Sequence, residues 1–253
     1  MYRIREYRKN PDRLSDLLPW AALVGPGVIL NKDGSFQKTV KFRGPDLDSA
    51  TETELVSVSS RFNNVFKRLG SGWAFFAEAQ RELTRIYPKS DFPDQLSFMI
   101  DEERRIAFEE NNHYQSSYYL TLVYLPPSDV SNKLTSYFIE NSSKAAVDYK
   151  AQLNLFSVEV GRLLDLLQGV LPEIRPLSDE ETLTYLHSTI SFKRHTVRVP
   201  EIPMYLDAVL ADTPLIGGLE PRLGDTGFKA ISVLGFPGTS IPGILDALNR
   251  LAV

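Results

Sequence analysis

Residues 27–44, GVILNKDGSFQKTVKFRG, read as a β-hairpin. Two β-rich runs flank Asn31-Lys32-Asp33-Gly34, and the Asp-Gly pair supplies the positive-φ position that a tight hairpin needs. Whatever follows must pack against that hairpin. The stretch DLDSATETELVSVSSRFNNVFKRLG sets Leu55, Val58, Phe62, Val65, Phe66 and Leu69 on one helical stripe. Acids in its first turn and Arg61, Lys67 and Arg68 later complement the helix dipole, with Asp48 or Ser49 as the expected cap and Gly70 as the stop. WAFFAEAQRE alternates as a half-buried strand with Trp73, Phe75 and Ala77 on one face. DQLSFMIDEERRIAFEENNHY predicts a helix, and QSSYYLTLVYLPP predicts a strand apolar on both faces, ended by Pro126 and Pro127. Such a strand belongs in the middle of a sheet.

Downstream, SSKAAVDYKAQLNLFSVEVGRLLDLLQGV repeats Ala146, Tyr149, Leu153, Phe156, Val160, Leu163 and Leu167 at helical spacing. LPEIRPL predicts a short strand, and SDEETLTYLHSTI a helix opened by Ser178 and Glu181 in capping-box spacing. ISFKRHTVRV, TPLIGGLEP and FKAISVLGF are expected as strands alternating with turns, and a final helix begins near Ile241. No internal repeat or low-complexity tract interrupts this order. It predicts an α+β protein, with helices packed on a mixed, largely antiparallel sheet in two subdomains. The expected divisions are an arm over 1–18, a first subdomain over 19–127 and a second over 128–253, with the proline pair at the boundary.

A composition of 43% hydrophobic and 24% charged residues is that of a soluble globular protein and excludes disordered and collagen-like classes. No apolar run approaches the roughly 18–20 residues needed to span a bilayer. The opening MYRIREYRKNPDRLSDLL is polar and unlike a signal peptide. The absence of cysteine removes disulfides, thiolate chemistry and cysteine-based zinc sites, and fits a reducing compartment. A net charge of −4 gives no global basic field for nucleic acid, so local patches must carry any such reading. The clearest patch is the N-terminal arm, where Arg3, Arg5, Arg8, Lys9 and Arg13 face only Glu6, Asp12 and Asp16. It suits anionic lipid or an acidic partner, against the plain alternative of a solvated tail.

Candidate chemistry thins out on inspection. GFPGTSIPG sits where a phosphate loop would, after a strand and before a helix, but Ile244 and Leu245 follow Gly243 where Lys and Ser/Thr are required. It reads as an ordinary strand-turn-helix corner. Asp101, Glu102, Glu103, Glu109, Glu110 and His113 lie close in sequence, yet adjacent carboxylates diverge on a helix and Arg104 and Arg105 offset them. Glu109 and His113 alone share a face, and two ligands make no metal site. SFKRHTVRV, read as a strand, puts Arg194, Thr196 and Arg198 on one side as a basic ridge suited to an acidic partner or to edge protection. With Phe192 it also suits a phosphate backbone. His187, beside Leu186 in an amphipathic helix, reads as a core or boundary histidine. LIGGLEPRLGDTG has glycines spaced for turns rather than for a dinucleotide, and no Gly-x-Ser-x-Gly elbow occurs.

Longer phrases carry a family likeness. REYRKNPDRLSDLLPWAALVGPGVILNKDGSFQKTVKFRGPDLDSATETEL, RFNNVFKRLGSGWAFFAEAQR, HSTISFKRHTVRVPEIPMYLDAVLADTPLIGGLEPRLGD and LGFPGTSIPGILDALNRL together resemble the N-terminal region of the TrbE family. These are conjugal-transfer ATPases of type IV secretion related to the fourth VirB component. The likeness is weakest over 91–152. The resemblance implies a longer protein in which a RecA-like domain with Walker motifs follows, so that this chain is cut before that domain and ATP and magnesium belong elsewhere. It implies an assembly and docking domain, non-catalytic by itself, peripheral at the cytoplasmic face of the bacterial inner membrane. Inner-membrane secretion components are the implied partners, with self-association of the whole protein and no small-molecule substrate. No catalytic, cofactor or metal residue carries over; Arg3, Arg5 and Arg8 are the expected membrane-side contacts and Arg194 and Arg198 the expected partner contacts. The reading from a different class is a single-stranded nucleic-acid-binding module.

Overall fold

The computed structural model describes residues 13–47, 49–84, 87–110, 113–127, 143–202, 204–232 and 234–235, without the side chains of 143–149. The expected hairpin is present. β2 (Val28–Asn31) and β3 (Phe36–Arg43) pair antiparallel, with Val28 opposite Lys38 and Leu30 opposite Phe36. Gly34 has a φ of 85°, as the Asp-Gly turn requires, and Asp33 Oδ1 accepts bonds from the Ser35 amide and hydroxyl. A strand not foreseen from the sequence precedes the hairpin: β1 (Trp20–Gly25) pairs with β2 around a tight turn at Pro26 and Gly27. Gly27 has a φ of 63°, and a Cβ there would lie 2.6 Å from the Leu177 carbonyl oxygen. Only glycine fits that approach.

β4 (Trp73–Thr84), β5 (His113–Tyr124) and β6 (Glu173–Pro176) complete the main sheet, in the order β1-β2-β3-β5-β4 with β6 beside β3. Every ladder in it is antiparallel. β5 lies between β3 and β4, the interior place that its apolar faces imply. β3 reaches only Tyr118–Tyr124 of β5, so Gln80–Thr84 and His113–Ser117 continue past the sheet as a two-stranded ribbon.

Side-chain alternation gives the sheet two different faces. Phe36, Val40, Leu120 and Leu122 lie on one, beneath Val65 of α2 (Glu52–Phe66) and Phe156, Val160, Leu163 and Leu167 of α4 (Ser143–Gln168). The Phe36 and Phe156 rings stack at 5.6 Å, and Trp73 lies 5.8 Å from Phe156. Residues from both sides of Pro126–Pro127 thus share this core. On the other face Ile29 joins Leu183 and Leu186 of α5 (Asp179–Ile190) and Leu206 and Leu210 of α6 (Leu206–Leu210) in a second cluster. Lys32 ties the hairpin to it, with Nζ 2.7 Å from Asp207 and donating to the carbonyl of Ser15 in α1 (Leu14–Leu17). α3 (Gln95–Glu110) joins β4 to β5, contains no buried residue and leaves Leu96, Met99, Ile100 and Ile106 exposed. Among the described residues no helix is long and apolar enough to cross a membrane.

Several local expectations need correction. Thr51, rather than Asp48 or Ser49, caps α2: its hydroxyl oxygen accepts from the Glu54 amide, and Glu54 accepts from the Thr51 amide at 2.7 Å. Thr51-x-x-Glu54 is the reciprocal pattern, which a cap placed further upstream cannot complete. Residues 191–200 form no strand. The Val197 amide donates to Thr184 Oγ1 at 2.9 Å and its side chain enters the second cluster, so the segment runs along α5 instead of pairing. TPLIGGLEP contributes only β7 (Leu215–Ile216), which joins β8 (Arg222–Leu223) and β9 (Thr226–Gly227) in a small separate sheet. The described part of FKAISVLGF is not a strand, and Ile231 and Leu234 are exposed. The final helix and the residues from Phe236 onward lie outside the described residues.

Phe156 joins the main sheet to α4 at full burial. Phe156→Ala is expected to cost about 3–5 kcal/mol, measured as a lower urea midpoint at unchanged slope.

Candidate functional site

A polar cleft of about 360 Å³ opens on the second face of the sheet, between β3, β4 and β5 on one side and α5 with the segment after it on the other. Gln80, Tyr185 and Ser188 line it and belong to a hydrogen-bonded chain that crosses the two layers. Thr39 and Thr121 share a bond of 2.9 Å between their hydroxyls, and the Tyr185 hydroxyl lies 3.4 Å from Thr121 and donates to Glu78 Oε2 at 2.7 Å. Gln80 Nε2 donates both to Glu78 Oε1 and to Ser188 Oγ, each at 2.8 Å. Burial, with the Glu78 hydrogen bond and charge, pushes the Tyr185 phenol well above its ordinary range. Tyr185 is therefore a fixed neutral donor rather than a group that exchanges its proton near neutrality.

Around that network the cations are matched by carboxylates. Arg175 grips Glu181 through two bonds of 2.9 and 2.8 Å, and Glu181 also accepts from the Ser178 amide to complete the capping box of α5. The Arg175 hydrogen bonds, then the Ser178 amide, hold the Glu181 carboxyl down to about 2. Lys193 Nζ lies 3.4 Å from Asp212, and Nε2 of the buried His187 lies 3.3 Å from the same carboxylate without hydrogen-bond alignment. Burial works to raise the Asp212 carboxyl, but His187, Ser191 and the Lys193 charge outweigh it and hold the group below its usual range. His195 meets His187 edge-on at 4.4 Å. Lys41 sits 5.9 Å from the centre of the Tyr119 ring. Glu181, Asp212 and Glu82 thus compensate much of the positive charge of the cleft.

Arg194, expected on a strand ridge, is instead held at the surface by neighbouring elements of its own fold. Its Nε lies 2.9 Å from Glu82, and its Nη1 donates to the Ser188 carbonyl at 2.9 Å, closing the end of α5. Arg198 is exposed and engaged by no described residue. Arg3, Arg5 and Arg8 lie outside the described residues. Glu109 and His113 do not meet: Arg105 pairs with both Glu109 and Glu102, whereas His113 stacks on Phe108 at 4.1 Å. Among the described residues no three ligating side chains gather into a metal site. The Glu78–Tyr185 and Arg175–Glu181 pairs were not foreseen from the sequence. A clue was present in Glu78, the one carboxylate within the otherwise apolar run WAFFAEA.

Residues 27–132 match the family model of the type IV secretion system ATPase VirB4/TrbE, N-terminal domain. The conjugal transfer protein TrbE of Rhizobium radiobacter is 35% identical over 269 residues, spanning 99% of this chain and 33% of that protein. A probable conjugal transfer protein TrbE of Sinorhizobium fredii is 42% identical over 130 residues, which are 50% of this chain and 87% of the relative. The type IV secretion system protein virB4 of Brucella suis is 21% identical over 94% of this chain and 31% of its own length. The chain spans about a third of the length of the R. radiobacter protein.

Two measurements probe the cleft. Tyr185→Phe leaves Glu78 without its buried donor and is expected to lower unfolding stability by about 1–2 kcal/mol in urea. Because the folded state holds Glu181 below its ordinary 4.5, the ionised form stabilises the fold above that value, and the contribution disappears as pH falls toward about 2. The stability difference between the natural chain and Glu181→Gln is thus expected to narrow over that acid window and to stay constant from about pH 6 to 8.

Proposed function

The chain belongs to the VirB4/TrbE family of type IV secretion proteins, and from that membership we propose that it works as an N-terminal assembly and docking domain, non-catalytic by itself. The observation that carries the reading is the alignment with a conjugal transfer protein along 99% of this chain, a span that takes in only 33% of the relative. ATP and magnesium belong, on this reading, to a RecA-like domain of a longer protein, which energises pilus biogenesis and DNA or protein transfer. These 253 residues supply scaffold and contacts. Their charge-matched cleft and the exposed apolar residues of α3 support a role in recognising other proteins.

The partners proposed are inner-membrane components of the secretion system, met at the cytoplasmic face of the membrane, with self-association of the whole protein. Arg3, Arg5 and Arg8 are assigned to the membrane side. Arg198, exposed and uncommitted, is the better of the two downstream arginines for a partner contact, while Arg194 holds its own segment in place.

The test is capture of detergent-solubilised inner-membrane proteins on the immobilised 253-residue chain, from bacteria with and without a conjugative plasmid. Transfer proteins are expected only from plasmid-bearing cells, with retention reduced about tenfold by Arg198→Glu. Equal capture from plasmid-free membranes would end the docking reading. Calorimetric titration with ATP and magnesium is expected to give no saturable heat, and saturable binding would end its non-catalytic half.

A further inference from the structure

Strand β4 closes the path of the main sheet at one end, and none of its 12 residues is buried. Phe75, Phe76 and Leu83 are 37%, 60% and 46% exposed, a poor state for aromatic and aliphatic side chains on a strand. Among the described residues no strand pairs with its outer edge. Its ladder with β5 runs without a break from Trp73 opposite Tyr124 to Thr84 opposite His113. Of the devices by which natural sheets stop edge pairing, β4 has no proline, lysine, bulge or shortened length, and carries only the charges of Glu78, Arg81 and Glu82. Its charges are engaged within the fold: Glu78 with Tyr185, Glu82 with Arg194, and Arg81 over the Tyr114 ring at 4.9 Å.

We infer that this edge pairs antiparallel with the β4 edge of a second copy, about a two-fold axis at Ala79. A two-fold perpendicular to the sheet keeps each face on its own side, so a residue meets only residues of its own face and the choice of axis determines every pair. An axis at Glu78 sets Glu78 against Glu78, one at Gln80 sets Glu78 against Glu82, and one at Arg81 sets arginine against arginine. Like charges directly opposite destabilise a ladder. An axis at Ala77 avoids them but confines the shared ladder to Trp73–Arg81. The axis at Ala79 pairs the strand from Ala74 to Thr84, sets Glu78 against Gln80 and Ala77 against Arg81, and joins the exposed Phe75 of each copy to the exposed Leu83 of the other. The openness of β4 on both faces leaves room for the approach. The inference stands on the sheet and its charges and does not depend on the secretion reading.

The chain has no cysteine, so a single introduced thiol reports only on contact between copies. In Ala79→Cys the two thiols flank the axis, where opposed Cα atoms of an antiparallel pair lie about 4.5–5.5 Å apart, within disulfide range. In Ala77→Cys the two thiols are displaced by about 13 Å along the ladder and serve as the control. The 253-residue chain is expected to show the mass of a dimer by light scattering, with Ala79→Cys cross-linking under mild oxidation far faster than Ala77→Cys. Leu83→Lys, on the exposed ribbon, is expected to weaken association about tenfold at unchanged circular dichroism. A monomer at all concentrations with neither cysteine cross-linking would overturn the inference and assign the edge to a strand of another kind. Equal cross-linking by both cysteines would overturn it by placing the contact elsewhere.

Discussion

Phe36 and Val40 point from β3 into the core beneath α2 and α4, while Thr39 points to the opposite face, and the backbone between them is paired along both edges. β3 meets β2 and then β6 on one side and β5 on the other. A strand in that position has no free backbone group and no idle face, so the helices covering either side are located by it. The first core can close only if Phe156 reaches Phe36. The second can close only if Leu177 brings α5 back over Ile29, which the Leu177 amide helps to do by donating to the Thr39 carbonyl.

The second face is where the fold becomes selective. It carries Thr39, Thr121, Tyr185, Glu78 and Gln80 in one connected hydrogen-bonded chain, so the layers register through polar contacts as well as apolar burial. Partly buried polar groups of this kind tolerate few alternative packings, because a misplaced partner leaves a donor or acceptor unpaired. The salt bridges at the rim have a smaller energetic role, being half exposed and screened. Their consequence is compensation: in the basic segment after α5, Arg194 is paired with Glu82 and Lys193 with Asp212.

Exposed apolar side chains fall in two places. One group lies on α3 and β4, the other runs through Ile202, Leu219, Ile231 and Leu234, whereas Phe36, Val40, Leu120 and Leu122 are buried beneath α2 and α4. The aligned residues make up a third of the length of the R. radiobacter relative. In this chain both groups are apolar surface whose burial would release water.

Features decided within a few residues were legible in the sequence. The Asp33–Gly34 turn, the Ser178–Glu181 cap, the apolar stripes of α2 and α4, and the interior place of β5 each follow from backbone geometry and side-chain period, which act over one or two turns. The family likeness was legible for a related reason, since long phrases preserve many such local choices together. Features decided by distant partners were not. Nothing near Trp20–Gly25 announces a strand until β2 lies beside it, and alternation in ISFKRHTVRV says strand until Thr184 takes the Val197 amide and the second core takes its side chain. Arg194 reads as a free cation until folding brings Glu82 to it, and Tyr185 meets Glu78 from the far side of the chain, 107 residues away. The sequence by itself determined the β2–β3 hairpin, the long helices, the cap of α5 and the kinship of the chain. Which side chains are spent inside the fold and which remain for a partner was decided by the tertiary structure, because that depends on contacts between residues that local physics cannot bring together.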